Sequence, residues 1–314
     1  MGLFDFFKSE KIDKKQEPLF QEKSRLLVLE TILHAVDKYH EGEYSKAILF
    51  FDEVLSIDPS NNEYVLFYYR GCSNYYLDNN REALNDIEKA IEISETSEAY
   101  NQKGIILMEF EDNLQSMLCF DTAISLDKEN VDAYESRAKL KSNLKDSNGA
   151  IQDYDKVIVL DPNNSLAYYR RGTENFTLGN YEEATKNLDK AIEIGLPSYS
   201  RIKLENLYSF RGSFKMLLRL YDLAIEDFSK VLELTPNSVS TYFDRAEAYY
   251  FLDNYKEAIK DLNEIIRLEP ENGKAYFKRC EAKKELMDIN PNYKDEAVLD
   301  KIQAYKFGYD EDDD

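Results

Sequence analysis

Apolar residues recur along the chain with the spacing of amphipathic helices, and this helical pattern itself repeats about every 34 residues. An aromatic residue opens each repeat: Phe67, Tyr100, Tyr134, Tyr168, Tyr208, Tyr242 and Tyr276. A small residue follows four positions later: Gly71, Gly104, Ala138, Gly172, Gly212, Ala246 and Cys280. A period of this length is typical of arrays of helical hairpins, in which each hairpin buries its apolar face on its neighbours.

The second half of each repeat has its own small and large positions. Twelve residues after the first small residue stands a second one: Ala83, Ser116, Ala150, Ala184, Ala224 and Ala258. A large apolar residue follows after four more: Ile87, Phe120, Tyr154, Leu188, Phe228 and Leu262. Small side chains let two helix backbones approach closely, so they mark the crossing of two helices. Turns such as Leu178-Gly179-Asn180 separate the two helices, and Pro162, Pro236 and Pro270 end second helices because proline cannot continue a helix.

These positions resemble the tetratricopeptide repeat family, whose pattern places Trp, Leu-Gly, Tyr, Ala, Phe and Pro at fixed offsets. Here Tyr or Phe stands in place of the Trp, and a basic residue usually precedes the glycine. The resemblance covers roughly residues 28 to 290. It implies an all-α fold, a right-handed superhelical solenoid of about 7–8 helix-turn-helix repeats.

The flanks of the array differ in composition from the repeats. We predict a flexible N-terminal arm over residues 1–24, a solenoid over 25–308 with a capping helix from about Lys294 to Phe307, and an acidic tail over 309–314. Extra residues fall near Asn61-Asn62 and around Pro197. They predict a longer loop or an additional helical turn, with a hinge or binding loop as the alternative.

Composition excludes several classes of protein. The formal net charge of −21 argues against a nucleic-acid partner, because phosphates need clustered Lys and Arg. Three cysteines, Cys72, Cys119 and Cys280, make no disulfide framework and predict reduced thiols and a cytoplasmic protein. No apolar run has the length of a transmembrane helix, so we predict no integral membrane segment.

The sequence offers little catalytic chemistry. The two histidines, His34 and His40, are six residues apart and lie on different faces of a helix, so they cannot bind one metal ion together. Neither has an evident orienting acid, and no glycine-rich phosphate loop is present. We therefore predict no catalytic residues, no cofactor and no metal.

A basic residue precedes the first small residue of each repeat: Arg70, Lys103, Arg137, Arg171, Arg211, Arg245 and Arg279. Sixteen residues later, four repeats carry an aspartate: Asp86, Asp153, Asp227 and Asp261. This recurrence predicts an ion pair within the repeat. The alternative is an arginine ladder that binds acidic ligands.

The resemblance implies that first helices line a concave groove that binds protein or peptide partners. Helical spacing indicates which aromatic residues of the first helices face this groove, and two acidic residues lie beside them. Some of these residues are expected to belong to the core instead. The candidates are Tyr68, Tyr69, Tyr75, Tyr76, Tyr169, Phe176, Phe210, Phe243, Asp244, Glu247, Tyr250, Phe251 and Phe277. Rings flanked by acids suit a peptide with apolar anchors and basic neighbours.

Some members of the family clamp a C-terminal carboxylate with Lys, Asn and Arg on first helices. Lys274 and Lys278 offer half of such a clamp, but Ser209, Ser213 and Asp244 stand where Lys and Asn are needed. The sequence therefore disfavours a clamp of this kind.

The leading functional hypothesis is a non-enzymatic protein–protein interaction scaffold. Two alternatives stay open at this stage. One is a peripheral membrane-associated adaptor that uses Phe4, Phe6 and Phe7 of the arm. The other is a non-catalytic subunit of an enzyme complex.

Overall fold

The computed structural model describes residues 17–58, 61, 63–198, 200 and 202–309, with side chains from residue 25 onward. These residues form sixteen α-helices and no β-strand. The first eight helices are α1 (Glu17–His40), α2 (Tyr44–Ile57), α3 (Tyr64–Tyr76), α4 (Asn80–Ile93), α5 (Ser97–Glu109), α6 (Asn113–Leu126), α7 (Val131–Asn143) and α8 (Ser147–Leu160). The other eight are α9 (Ser165–Thr177), α10 (Tyr181–Ile194), α11 (Leu204–Leu217), α12 (Tyr221–Leu234), α13 (Val239–Phe251), α14 (Tyr255–Leu268), α15 (Gly273–Lys284) and α16 (Asn292–Lys306). The predicted all-α repeat solenoid is confirmed.

The two helices of a hairpin cross at the small residues that the sequence pattern singled out. A Cβ atom added to Gly104 would lie 2.5 Å from the ring of Phe120, and one added to Gly212 would lie 2.7 Å from the ring of Phe228. A side chain at either position would displace an aromatic ring from a close-packed interior. Glycine is therefore required there by the close approach of the second helix.

Tight turns join the two helices of the first seven hairpins, α1–α2 to α13–α14, and one residue in each of these turns adopts a left-handed backbone conformation. Gly179 supplies it between α9 and α10 with a φ of 78°, while Asp253 adopts it between α13 and α14 with a φ of 55°. Only glycine reaches this conformation without steric cost, and Asp tolerates it better than most residues. This requirement favours the glycine and the aspartate at these two turns, whereas Glu111, Lys145 and Arg219 adopt the same conformation in other hairpins.

The chain divides into two compact units, Met1–Leu140 and Lys141–Asp314, which we call the N-terminal and C-terminal units. The core of the N-terminal unit includes Phe51 and Leu66, both fully buried. The core of the C-terminal unit includes Leu188, Leu207 and Phe228, also fully buried. Within each unit the hydrophobic residues line the contact between successive helices, as the repeat pattern predicts.

The N-terminal boundary differs from the predicted one. Helix α1 begins at Glu17, so residues 17–24 are helical and do not belong to an arm. Pro18, the second residue of this helix, is compatible with it. Proline is tolerated in the first turn of a helix, where its missing N–H would have no partner in any case. The remaining arm residues, 1–16, and the acidic tail, 310–314, lie outside the described residues.

The two insertions lie between helices. Helix α10 ends at Ile194 and α11 begins at Leu204, so nine residues connect them, whereas four residues connect α8 to α9. The longer-loop interpretation is therefore right for the segment around Pro197, and the extra residues near Asn61 also fall between two helices, α2 and α3. Among the described residues no helix is long and apolar enough to cross a membrane.

Candidate peptide-binding surface

A cavity of about 300 Å³ opens between α13, α14 and α15 in the C-terminal unit. Ala258 and Leu262 of the second helix α14 lie at its inner side. The first helices α13 and α15 contribute the remaining lining residues: Phe243, Asp244, Ala246, Glu247, Tyr250, Phe251, Lys274, Lys278 and Glu281. Five of the predicted groove residues therefore line one cavity.

The spacing of the side chains along α13 explains why they meet. Phe243, Glu247, Tyr250 and Phe251 are separated by four, three and one residues, which places them on one side of the helix. Phe251 is half exposed and stacks on Tyr221, with ring centroids 5.0 Å apart and planes inclined by 16°. The aromatic rings at this end of the cavity are thus held in place while one face stays accessible.

The carboxylates on the α13 side of the cavity, Asp244 and Glu247, differ from the one on its α15 side, Glu281. Burial, with a smaller contribution from neighbouring Glu247, raises the pKa of Asp244 to about 6. In the described part of the chain no basic nitrogen lies within salt-bridge distance of Asp244 or Glu247. On the facing helix α15, the Nζ atom of Lys278 lies 3.3 Å from Oε2 of Glu281. The α13 side of the cavity is therefore electronegative, and its two carboxylates have no salt-bridge partner among the described residues.

A second cavity, of about 230 Å³, shares Asp244 and Glu247 with the first. Its other lining residues come from α9, α11 and α12: Phe176, Ser213, Met216, Leu217 and Phe228. The two cavities therefore adjoin at the same pair of carboxylates.

Aromatic rings continue the surface of the second cavity along the first helices. Phe176 stacks on Phe214 with centroids 4.6 Å apart, and Phe210 contacts both Phe214, at 6.3 Å, and Tyr169, at 6.1 Å. Phe176 and Phe210 are each about two-fifths exposed. The predicted residues Tyr169, Phe176 and Phe210 thus form one group of rings beside the cavity.

The predicted tyrosines of α3 form a separate cluster in the N-terminal unit. Tyr76 is 53% exposed and stacks on Tyr44 at 4.4 Å, while Tyr69 packs edge-on against Tyr39 at 5.0 Å. Burial raises the pKa of Tyr68 well above its usual value. Most of the cluster is therefore core packing, and Tyr76 is its most accessible member.

Two polar side chains that the sequence reasoning missed lie on α5. Asn101 Oδ1 and Gln102 Nε2 are buried and make no hydrogen bond within the described part of the chain. They follow the opening ring Tyr100 directly, so they occupy the repeat positions of Tyr68 and Tyr69. A buried amide without a partner is costly, which marks this position as one that a ligand could satisfy.

The arginine side chains that recur in the repeats form hydrogen bonds and ion pairs within the protein. Arg245 donates to Asp261 from Nε at 2.9 Å and from Nη2 at 2.7 Å, and Arg70 and Arg211 bind Asp86 and Asp227 with the same two nitrogens. The predicted intra-repeat ion pairs are confirmed for these three repeats. These guanidinium groups are accordingly not free to bind acidic ligands.

A second set of contacts links neighbouring repeats and was not foreseen. Arg211 Nη1 donates to Asp189 of the preceding second helix at 2.7 Å, and its guanidinium lies 5.5 Å above the ring of Tyr208. Lys103, which lies sixteen residues before Cys119, instead pairs with Glu88 of the preceding second helix at 2.8 Å. Each basic residue therefore joins its own repeat to the one before it.

The tetratricopeptide repeat profile matches residues 97–130, 131–164, 166–194 and 239–272. The matched segments coincide with helical hairpins of the structure and keep the register read from the sequence. These four segments are tetratricopeptide repeats.

Other tetratricopeptide repeat proteins agree with this assignment. The TPR repeat-containing protein MJ1428 of Methanocaldococcus jannaschii is 25% identical over 126 residues, which are 37% of this chain and 22% of that protein. The match thus spans about a fifth of the relative's length.

Solved structures show the same fold. The C-terminal part of a TPR repeat-containing protein from Cytophaga hutchinsonii has a TM-score of 0.63 and 19% identity, covering 79% of this chain and 98% of that one. The pilF protein of Pseudomonas aeruginosa has a TM-score of 0.59 and 14% identity, covering 72% and 97%. At these identities the likeness concerns the fold alone.

One predicted groove residue of this tetratricopeptide repeat array is buried. Phe277 is only 4% exposed, because Tyr309 packs against it with ring centroids 5.5 Å apart. The sequence pattern placed Phe277 on the same side as Phe243, but it gave no indication that the chain after α16 returns to cover it. Phe277 is therefore core and not a partner-binding residue.

Proposed function

We propose that this protein is a non-enzymatic interaction scaffold that binds a peptide segment across the two adjoining cavities of the C-terminal unit. One observation carries the proposal: the cavities meet at Asp244 and Glu247, two carboxylates with no salt-bridge partner among the described residues, between accessible aromatic rings. A partially buried carboxylate with a raised pKa is an unfavourable arrangement that a basic ligand relieves. The surface is thus best suited to a cationic, partly apolar peptide.

Each cavity binds a different side chain of the peptide. The first cavity, at Tyr250 and Phe251, takes an apolar side chain, since aromatic residues at the centre of an interface supply most of its binding energy. Asp244 and Glu247 take a Lys or Arg side chain. The second cavity, between Phe176 and Met216, takes a further apolar side chain.

Lys274 lies on the opposite side of the first cavity, where it favours an acidic group or a backbone carbonyl of the peptide. The Nζ atom of Lys274 lies 5.8 Å above the ring of Phe243, so its charge remains directed at the cavity. Opposite charges on α13 and α15 give the peptide a preferred direction of binding.

The test is fluorescence anisotropy with a labelled peptide array in which Lys or Arg is flanked by Phe or Leu, compared with Asp- and Glu-flanked versions of the same peptides. We expect the basic peptides to bind and the acidic versions to bind at least tenfold more weakly. Replacing both Asp244→Asn and Glu247→Gln is expected to remove most of this preference, because the peptide's charge then has no counter-charge in the cavity.

The matched control combines Glu193→Gln and Glu233→Gln, two exposed carboxylates that pair with Lys190 and Lys230 at the surface. It also removes two negative charges from the same unit but none from the cavities. Equal weakening by the control and by the Asp244/Glu247 variant would attribute the preference to net charge and reject the proposed site. Absence of binding by every basic peptide would reject the surface altogether.

We also propose a reducing compartment, and hence the cytoplasm, as the place of action. Cys72, Cys119 and Cys280 are all buried and unpaired with one another. Oxidation would need each thiol to leave its packed site. Fractionation followed by immunodetection tests this proposal, and recovery of the protein in a secreted or periplasmic fraction would contradict it.

A further inference from the structure

Helix α16 occupies the place of a second helix in the repeat register. Arg279 of α15 donates to Asp300 of α16 from Nε and Nη2, as Arg245 of α13 does to Asp261 of α14. The small residue three positions before the aspartate is also kept, since Ala297 is buried like Ala258. The outward side of α16 therefore corresponds to the side that contacts the following repeat in every earlier second helix.

One position on that side is polar in all seven earlier second helices and accepts the basic side chain of the next repeat. It lies five residues after the small residue, and its occupants are Asp52, Glu88, Asp121, Asp155, Asp189, Ser229 and Asn263. In α16 the same position is Ile302. This helix is thus not built to receive another repeat of the same kind.

The outward side of α16 is apolar although it faces solvent. Its side chains are about half exposed or more: Val298 at 55%, Leu299 at 61%, Ile302 at 54% and Tyr305 at 47%. We call these four residues the α16 face. A helix that caps a repeat array needs a polar outer side to remain soluble. An exposed apolar stripe of this size indicates a surface that another protein covers.

The charges at the two ends of the α16 face indicate what covers it. Asp295 lies one turn before the stripe and Lys306 at its end, and both are exposed. In an antiparallel pair of α16 helices related by a two-fold axis between residues 300 and 301, Asp295 faces Lys306 of the second copy and Leu299 faces Ile302. The face is therefore complementary to itself in both charge and apolarity, as an isologous interface requires.

We propose that the α16 face is a self-association site, through which two copies of the chain form an antiparallel, two-fold symmetric dimer. A single helix face buries on the order of several hundred Å² per copy, which is at the low end of specific interfaces. The net charge of −21 on each copy opposes association over long distances. The dimer is consequently weak and concentration-dependent. An ionic strength of about 0.15 M favours it, because the salt screens the long-range repulsion between the two copies.

Sedimentation equilibrium of the full chain, from about 1 to about 200 µM, tests the proposal. The expected mass rises with concentration from 36.7 kDa toward twice that value. Ile302→Lys is expected to weaken association at least tenfold, because it places a charge at the centre of the apolar stripe. The matched control is Leu49→Lys on α2, where Leu49 is 67% exposed in the N-terminal unit, and it is expected to leave association unchanged.

A charge reversal tests the antiparallel geometry. Asp295→Lys or Lys306→Asp alone is expected to weaken the dimer by about threefold or more, and the combined variant to restore it. Circular dichroism and the melting temperature confirm that each variant is folded. A chain that remains monomeric throughout the concentration range, or a dimer insensitive to Ile302→Lys, overturns the proposal. Weakening that the combined variant fails to restore overturns the antiparallel pairing.

Discussion

Replacing Arg245 by alanine is expected to destabilise the C-terminal unit by an amount that depends strongly on pH. The side chain of Asp261 is only 6% exposed, and Arg245 provides both of its charge-assisted hydrogen bonds. The substitution leaves a buried carboxylate without a counter-charge. Breaking a buried pair from one side costs about 3–5 kcal/mol, which is the loss we expect at pH 7.

The pH dependence follows from the pKa of Asp261. Burial raises this pKa even with Arg245 beside it, and removal of the guanidinium raises it further. The folded variant then binds a proton more tightly than the unfolded chain, so its stability increases as the pH falls toward and below the folded pKa. Each pKa unit corresponds to about 1.4 kcal/mol, so lowering the pH from about 7 to about 5 restores up to about 2.7 kcal/mol.

Replacing the other partner of the pair, by Asp261→Ala, has a different pH dependence because the arginine that remains cannot lose its charge. Arg245 keeps its hydrogen bond to Ser229, at 2.9 Å, and its side chain is 19% exposed to water. We expect a loss that varies little between pH 5 and pH 7. The double variant is expected to be more stable than the sum of the two single losses predicts, with a coupling energy of at least about 1 kcal/mol.

Urea denaturation followed by circular dichroism at pH 7 and pH 5 measures all four proteins of the cycle. Lys230 and Glu233 provide the control, because their pair on α12 is exposed to solvent and each alanine variant should leave the stability nearly unchanged. Strict additivity in the cycle, or an Arg245→Ala loss that is the same at both pH values, would refute the reasoning.

Three further predictions concern other parts of the chain. Gly212→Ala is expected to destabilise by about 1–3 kcal/mol in thermal denaturation, because the added Cβ lies 2.7 Å from the ring of Phe228; an unchanged melting temperature would contradict the close crossing. The affinity for a basic peptide is expected to fall as the pH drops through about 6, where Asp244 takes up a proton, and Asp244→Asn should flatten this dependence in anisotropy titrations. The thiol of Cys72, whose pKa burial raises to about 12, should react with a thiol reagent at pH 8 only after unfolding, and rapid reaction of the native protein would show that it is accessible.

The sequence was sufficient for interactions that lie within one hairpin. Gly104 and Phe120, or Arg245 and Asp261, are sixteen residues apart because the same two helices and tight turn recur in every repeat. Because this geometry is constant, residues that contact each other within a hairpin are always separated by the same number of positions in the sequence. Such contacts could be predicted without a structure.

Contacts between repeats could not be predicted in the same way. Arg211 reaches Asp189 over 22 residues, whereas the equivalent Arg171 reaches Asp155 over sixteen, because the connections differ in length. Within the last hairpin, Arg279 pairs with Asp300, 21 residues later rather than sixteen, because the register shifts between α15 and α16. The burial of Phe277 by Tyr309 has the same origin, since it depends on how the chain continues after a helix that the repeat pattern does not govern.

The nine-residue connection between α10 and α11 offers a place to lengthen the chain without altering the array. Arg211 keeps its contact with Asp189 across this connection, so the six additional residues change the distance along the sequence and leave the packing of the two helices intact. Leu196 and Ile202 near the two ends of the connection pack against the core, whereas Ser198 between them is exposed, and loop closure becomes only slowly more costly with length. A fluorescent domain or affinity tag inserted after Pro197 would therefore report on the protein in cells while both cavities and the α16 face keep their native form.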